Sequence, residues 1–311
     1  MLRNQTMTQK RRERRIVDGI VLLDKPQGLS SNAALQRVKR VFNADKAGHT
    51  GSLDPLATGL LPICLGQATK LGGFLLDGDK RYRATMKLGS KTTTGDSEGE
   101  VVASSDVTLL DAAAVESARQ RLIGPIRQIP PMHSAIKVDG EKLYRLARQG
   151  VEIERQPRPV TIHELALKGF RVDEIDFEVL CSKGTYVRTL AEDWAALFGQ
   201  CAHLIGLRRT AASPFVSAQM VGLEALEGVL HDPAESARYL LPTAAALVDW
   251  QQCRIDDSDL RRLRHGHPVP ASPLVSGDCA VFAESGALLC LGVGDGFGWV
   301  QPRRWLGDEP A

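Results

Sequence analysis

The chain has 311 residues, 43% of them hydrophobic and 24% charged, enough apolar material for one large domain and a smaller one. No apolar run reaches the length of a bilayer span, and the basic N-terminus MLRNQTMTQKRRERR lacks the apolar stretch of a secretory signal, so a cytoplasmic protein without membrane contact is expected. The net charge of +2 hides a division: residues 1–210 hold 32 Lys+Arg against 24 Asp+Glu, residues 211–311 hold 7 against 13, and the first two-thirds is therefore the candidate for a polyanionic partner. Uneven surface charge accounts for the same split, so charge alone only raises the question. The six cysteines (Cys64, Cys181, Cys201, Cys253, Cys279 and Cys290) form no C-x-x-C pair and no His-spaced zinc pattern, which implies reduced, mostly buried thiols and no metal.

In chain order, residues 1–16 read as a disordered basic arm. DGIVLLDKP (18–26) reads as a buried strand closed by Pro26 and Gly28. SSNAALQRVKRVF (30–42) reads as a helix capped by Ser30 or Ser31, with Ala34, Leu35, Val38 and Val41 as its apolar stripe and Arg37, Lys39 and Arg40 on its outer sides. GHTGSLDPLATGLLP (48–62) is a loop at its start: Gly48 and Gly51 permit sharp turning and Pro55 biases Asp54 toward extended dihedrals. The small, apolar LATGLLPICLG that follows is expected to pack beneath this acid. KRYRATMKLG (80–89) alternates with period two, Tyr82, Ala84, Met86 and Leu88 on one face and Arg81, Arg83, Thr85 and Lys87 on the other.

PIRQIPPMHSAIKVDGEKLYRLARQG (125–150) breaks the strands with prolines and then turns into a basic helix, so an insertion is expected over about 125–160. IDFEVLCSKGTYVRTL (175–190) reads as a second alternating strand entering a helix near AEDWAALFG, and an extended backbone there points Tyr186 and Arg188 the same way. Residues 217–247 are helical and acidic, and beyond about 250 short alternating strands with Gly turns suggest a small β-rich C-terminal domain. Strands and helices mix without a regular βαβ repeat, which favours α+β over a doubly wound sheet.

Asp54 is a lone carboxylate in apolar surroundings, and several chemistries are excluded around it. The loop lacks the G-x-x-x-x-G-K-[ST] order of a phosphate loop and the G-x-G-x-x-G of a dinucleotide fold, and the chain has no G-x-S-x-G nucleophile. Glycoside hydrolysis needs a second acid that sequence alone cannot pair with it. A nucleophile or base remains, provided a cation keeps it ionised. From this stretch alone, an Asp hydrogen-bonded within its own turn is the better account.

GHTGSLDPLATGLLPICLGQATK (48–70) nevertheless resembles the signature of the TruB family of tRNA pseudouridine-55 synthases. LLDKPQGLSS (22–31), DKRYRATMKLG (79–89), PPMHSAIKVDGEKLYRLARQG (130–150), CSKGTYVRTLAEDW (181–194) and HLIGLRRT (203–210) match in the same order, and the resemblance spans about 17–305. It implies an α+β pseudouridine-synthase fold over 17–250, with a mixed, largely antiparallel sheet and the insertion as an RNA-binding element, followed by a PUA-like β domain over 251–311. It implies a reaction in which uracil is detached from its ribose, rotated and reattached through C5, with no cofactor and no metal.

By the same resemblance Asp54 is the catalytic nucleophile and Arg188 its partner, Tyr82 stacks on the target base and helps remove the C5 proton, and Tyr186 closes over the uracil. His49 enters the RNA loop as the nucleotide is extruded, Leu207 addresses the uracil edge through its backbone, and Lys25 with Pro26 flanks the site as support. Each has an ordinary alternative: core packing for the tyrosines and Leu207, solvent exposure for His49 and Arg188. The partner implied is the T arm of tRNA at uridine 55, met by a monomer without guide RNA, and phosphate grips are expected from helix 31–42, from Lys80, Arg81 and Arg83, and from Lys142, Arg145 and Arg148. Rival readings are a guide-dependent pseudouridylase subunit and a tRNA-folding chaperone. His133 stands where many relatives are expected to carry Tyr or another residue and is given no role, and Arg303 and Arg304 are the C-terminal groups expected at RNA.

Overall fold

The computed structural model describes residues 14–107, 111–138, 140–230 and 232–307. Up to residue 222 the strands are β1 (Gly19–Lys25), β2 (Ala47–His49), β3 (Thr58–Leu65), β4 (Lys80–Leu88), β5 (Ser90–Thr92), β6 (Val101–Ser104), β7 (Gly124–Gln128), β8 (Lys137–Val138), β9 (Glu141–Lys142), β10 (Arg158–Phe170), β11 (Glu174–Cys181), β12 (Ala202–Ala212), β13 (Phe215–Val216) and β14 (Val221–Gly222). Among the described residues ten of these form one sheet in the order β14-β1-β3-β12-β4-β11-β10-β7, with β2 on β3 and β13 on β12. Only β1–β14 and β3–β12 run parallel, so the sheet is mixed and largely antiparallel, as expected. β5–β6 and β8–β9 are separate hairpins.

The helices are α1 (Ser31–Val41), α2 (Gly72–Asp77), α3 (Ala112–Gln120), α4 (Leu143–Arg148), α5 (Val187–Ala196), α6 (Leu223–Gly228), α7 (Pro233–Ala237) and α8 (Leu260–Arg264). α1 forms as its stripe dictates, burying Ala34, Leu35, Val38 and Val41, and Ser30 is its cap, accepting from Ala33 N at 3.1 Å. Ser31 is buried instead and serves the neighbouring loop.

The alternation of β4 and β11 sends Ala84, Met86, Leu88, Phe177 and Val179 into one core with α3 and α5. Its centre is Trp194, fully buried, edge-on to Phe177 at 5.5 Å and donating its indole N–H to Val115 O at 3.1 Å. β1 is buried on both faces: Val21 and Leu23 join α1 and α6, while Ile20 and Leu22 meet Ala280, Leu291 and Leu306 of the C-terminal sheet. That second sheet orders β15 (Gln251–Ile255), β16 (Val269–Pro270), β17 (Ser276–Ala283), β18 (Leu288–Asp295) and β19 (Trp299–Trp305) as β15-β17-β18-β19-β16, the short strands and Gly turns expected there. Tyr82 and Leu207 touch both the Trp194 core and the α1 core, and so mark the seam between them.

Three expectations are adjusted. The strand carrying IDFEVL stops at Cys181, the chain turns at Lys183–Gly184, and Tyr186 is the N-cap of α5; Arg188 lies in the first helical turn, so a helix start rather than an extended strand brings the two together. The stretch expected as an insertion has both ends in the main sheet, because β7 pairs with the start of β10, and only the chain between them projects, as the β8–β9 hairpin and the basic α4. The basic arm lies outside the described residues except for its last three, where Arg15 bridges Ala44. All six cysteines are free and all but Cys201 are buried, and no helix among the described residues is long and apolar enough to cross a membrane.

Candidate active site

The loop between β2 and β3 is held at several points. Gly51 takes φ +121°, open to glycine, and Thr50 N donates to Pro62 O at 3.2 Å. Ser31 Oγ accepts from Leu53 N at 2.7 Å and donates to Leu53 O at 3.0 Å, tying the residue before Asp54 to the start of α1. On the other side Gly28 N donates to Pro55 O at 2.8 Å. Asp54 is therefore presented on a fixed backbone.

Arg188 Nη2 reaches Asp54 Oδ2 at 3.0 Å, and the two differ in access: the Arg188 side chain keeps 6% of its exposure and Asp54 41%. The guanidinium is sealed in, while the carboxylate is half-buried and open on one side. Arg188 also donates to Thr94 O, and to His133 O at 2.9 Å, and a second carboxylate, buried Asp96, lies 3.9 Å from its Nε. Asp96 is itself held by Thr94 Oγ1 at 2.6 Å and Glu98 N at 3.1 Å. Burial lifts the Asp54 carboxyl above the usual carboxylate range; Arg188 opposes the lift, Asp96 adds to it and Lys25 opposes it. The cations thus limit a penalty that an isolated acid in this place would bear in full.

Tyr82, Tyr186 and Lys25 all feel the charge of Asp54, so the structure gathers these three and Arg188 around it. Burial raises the Tyr82 phenol and Arg209 opposes it. Burial raises the Tyr186 phenol too, against the neighbouring Ser134 hydroxyl and Arg188, and Gln128 clamps the Tyr186 backbone, accepting from its N–H at 3.0 Å and donating to its carbonyl at 3.3 Å. Lys25 is wholly buried and donates to Pro26 O at 2.9 Å and Leu29 O at 2.7 Å; burial pushes its ammonium down to about 8. It braces the turn between β1 and α1. His49 stands on β2 with a buried Nδ1 that has no hydrogen-bond partner among the described residues, its imidazole lowered by burial and by Arg209. Leu207 lies beside Ala84 on the neighbouring strand, at the seam.

The expected phosphate grips divide. Lys80 is buried and donates to the carbonyls of Leu75, Leu76 and Gly78 at the end of α2. Arg81 and Arg83 leave β4 on the face opposite Tyr82, where both pair with Glu178 and Arg81 also with Glu164. Arg37 is bound to Glu227 at 2.6 Å, and Arg304 donates to Lys70 O at 2.6 Å. Around α4, Lys142, its N-cap at the end of β9, and Arg148 each stand 5.7 Å from the centre of the Tyr144 ring, a basic aromatic cluster. Two cavities, of about 570 and 410 Å³, meet at Thr58 and Arg208, and Asp54 lines neither. No group of three or more His, Cys, Asp and Glu among the described residues is placed to hold a metal.

Sequence reasoning missed Asp96, Gln128 and Arg209, and gave Ser31 only a capping role. Asp96 sits in TTTGDSEGE, which reads as a polar turn, and nothing local marks it.

Residues 39–187 match the TruB family pseudouridylate synthase N-terminal domain, and residues 188–248 match the tRNA pseudouridylate synthase B C-terminal domain. The boundary falls between Val187 and Arg188, inside α5, so the site draws on both. A protein of Methylobacillus flagellatus named tRNA pseudouridine synthase B is 50% identical over 299 residues, covering 96% of this chain and 98% of the relative. One of Pseudomonas fluorescens with the same name is 47% identical over 307 residues, covering 97% and 100%. Among solved structures, a chain of a Cbf5-Nop10-Gar1 complex superposes with a TM-score of 0.72 at 23% identity, over 94% of this chain and 86% of that one, a likeness of fold. Identity near one half, sustained along nearly the whole of both chains, does not arise between unrelated proteins, and it makes this chain a member of the TruB family of pseudouridylate synthases.

Proposed function

We propose that the protein converts uridine 55 in the T arm of tRNA to pseudouridine, as a single chain without guide RNA or cofactor. The observation that carries the reading is the Asp54–Arg188 pair, a half-buried carboxylate open on one side and held 3.0 Å from a sealed guanidinium. Ionised Asp54 initiates cleavage of the glycosidic bond once the nucleotide is turned out of its stack and into the seam. Tyr82 stacks on the extruded uracil, a contact of about 1–3 kcal/mol that retains the detached base while it rotates. Tyr186 covers the base from the start of α5, Leu207 bounds it on β12, and the ring of His49 fills the space left in the RNA loop. The relatives named tRNA pseudouridine synthase B support tRNA as the substrate class. The basic cluster on α4 suits phosphates of the same arm.

The test is site-resolved mapping of pseudouridine on an unmodified tRNA transcript incubated with purified protein alone, beside Asp54→Asn. One new pseudouridine, at position 55 and absent with the variant, is the expected result. Modification elsewhere, or an active Asp54→Asn, overturns the assignment; tight binding without modification favours a tRNA-folding role.

A further inference from the structure

Arg209 has no part in the mechanism above, yet it is among the largest fully buried side chains of the protein, with 1% of its surface exposed. It forms no ion pair with a carboxylate among the described residues. A guanidinium so placed carries a large desolvation cost, and its surroundings indicate what it does there. Its Nε donates to Leu60 O on β3 at 2.6 Å and its Nη2 to Gly51 O at 3.1 Å, three residues before Asp54. Across the β4–β12 ladder Arg209 is the partner of Tyr82, so the two side chains leave the sheet on the same face, and the guanidinium opposes the rise that burial imposes on the phenol. The other titratable groups facing the phenol are Cys181 from β11 and Asp54 from the loop.

The backbone is shaped to bring this about. β3 and β12 run parallel with Arg209 opposite Gly59, whose φ is +96°, and a Cβ at Gly59 would stand 2.3 Å from Arg209 O. Only a glycine lets the strands come this close. The ladder then shifts register between Arg209 and Ala211, so the side chain is aimed at the seam by a close approach on one side and a bulge on the other.

We propose that Arg209 is a positioning residue that locks the Tyr82 hydroxyl to the Asp54 loop, so that the stacked base and the attacking carboxylate keep one fixed geometry, a role that rests on the uridine chemistry proposed above. One guanidinium ties β3, through Leu60 O, to the Asp54 loop, through Gly51 O, beside Tyr82 on the neighbouring strand β4. Reaction within a bound complex is sensitive to such placement: a displacement of about 1 Å costs roughly 100-fold in rate.

The experiment is a double-mutant cycle on single-turnover pseudouridine formation with Arg209→Lys, Tyr82→Phe and the pair, tRNA affinity and melting temperature being measured on each. Arg209→Lys keeps the charge but not the three-way reach. It is expected to slow the reaction roughly 100-fold with affinity changed by less than about 3-fold, and to cost almost nothing further once the Tyr82 hydroxyl is gone. Losses that multiply in the pair, or an undiminished rate in folded Arg209→Lys, overturn the proposal. Amide hydrogen exchange over residues 50–54 in Tyr82→Phe decides the matter even if Arg209→Lys fails to fold: the lock predicts faster exchange than in the parent protein, and unchanged exchange overturns it. Should the parent protein make no pseudouridine on tRNA, the substrate reading falls while the exchange measurement still decides the role of Arg209.

Discussion

Asp54 combines an ion pair with a carboxyl that burial nevertheless raises, and the two facts have separate consequences. A raised acid disfavours its charged form in the folded state, so the stability it contributes at low pH is lost as pH rises through its folded value. Asp54→Asn should therefore melt no lower than the parent protein at neutral pH, while losing all pseudouridine formation; a marked drop in melting temperature would mean that the pair with Arg188 outweighs the burial. The proposed reaction uses the ionised form, so kcat/KM should fall, as the pH is lowered, along a limb that lies above the ordinary aspartate range. A limb within that range would show that Arg188 and Lys25 cancel the burial completely. Of the residues around Asp54, the notable omission from sequence reading is Asp96, which has the composition of a turn and becomes an active-site group only because α5 delivers Arg188 to it.

At the scale of elements, the start of α1 does two things with adjacent serines: Ser30 caps the helix and Ser31 holds Leu53. Ser31→Ala leaves the Leu53 N–H and carbonyl without their buried partner, expected to cost about 1–3 kcal/mol of stability. It should also lower kcat more than it weakens tRNA binding, and loss of stability with an unchanged kcat would confine Ser31 to the fold. Within α5, burial pushes the Asp193 carboxyl up to about 6, with Glu192 adding to the shift. Its charge opposes folding above that pH, so Asp193→Asn should raise the melting temperature at pH 7 and lose the advantage below about pH 4, where the aspartate is protonated in both states. Helix and strand periodicity were legible here, and cap, stripe and alternation fell where expected. The junction from β11 to α5 was not, because the turn at Lys183–Gly184 and the Gln128 clamp on Tyr186 depend on contacts across the sheet.

Across the whole molecule, the C-terminal sheet is packed on the back of β1 and β3 through Ala280, Leu291 and Leu306. A chain ending at residue 250 would expose Ile20, Leu22 and Leu60, and should melt well below the full chain; an equal melting temperature would mean the two sheets are thermodynamically independent. The positive charge of the first two-thirds is partly neutralised where it forms, through Arg37–Glu227, Arg208–Asp24 and the pairs on the outer face of β4. The formal charge division therefore overstates what is free to meet a polyanion, and α4 is the best placed of the expected grips. Replacing Lys142 and Arg148 together by Gln should flatten the salt dependence of tRNA affinity by roughly 0.7–0.9 of a logarithmic unit per lost phosphate contact. An unchanged slope would move the electrostatic contact elsewhere.

By itself the sequence determined the class of fold, the course of α1, β1, β4 and β11, the β-rich C-terminal part, and the family, because periodicity and contiguous motifs are local properties that survive without a structure. Through the family resemblance it also named Tyr82, Tyr186, Lys25 and Arg188, though not Asp96, among the neighbours of Asp54. Tertiary structure alone decided that Arg81 and Arg83, on the face away from Tyr82, meet carboxylates, that Lys25 is a buried brace, and that Asp96 stands beside Arg188 and Arg209 beneath the Asp54 loop. Alternation is the same whichever strands are neighbours; it divides a strand into two faces but does not say which meets the reaction. That follows from the order β1-β3-β12-β4, which sets side chains from residues 25, 54, 82 and 209 beside one another although long stretches of chain separate them.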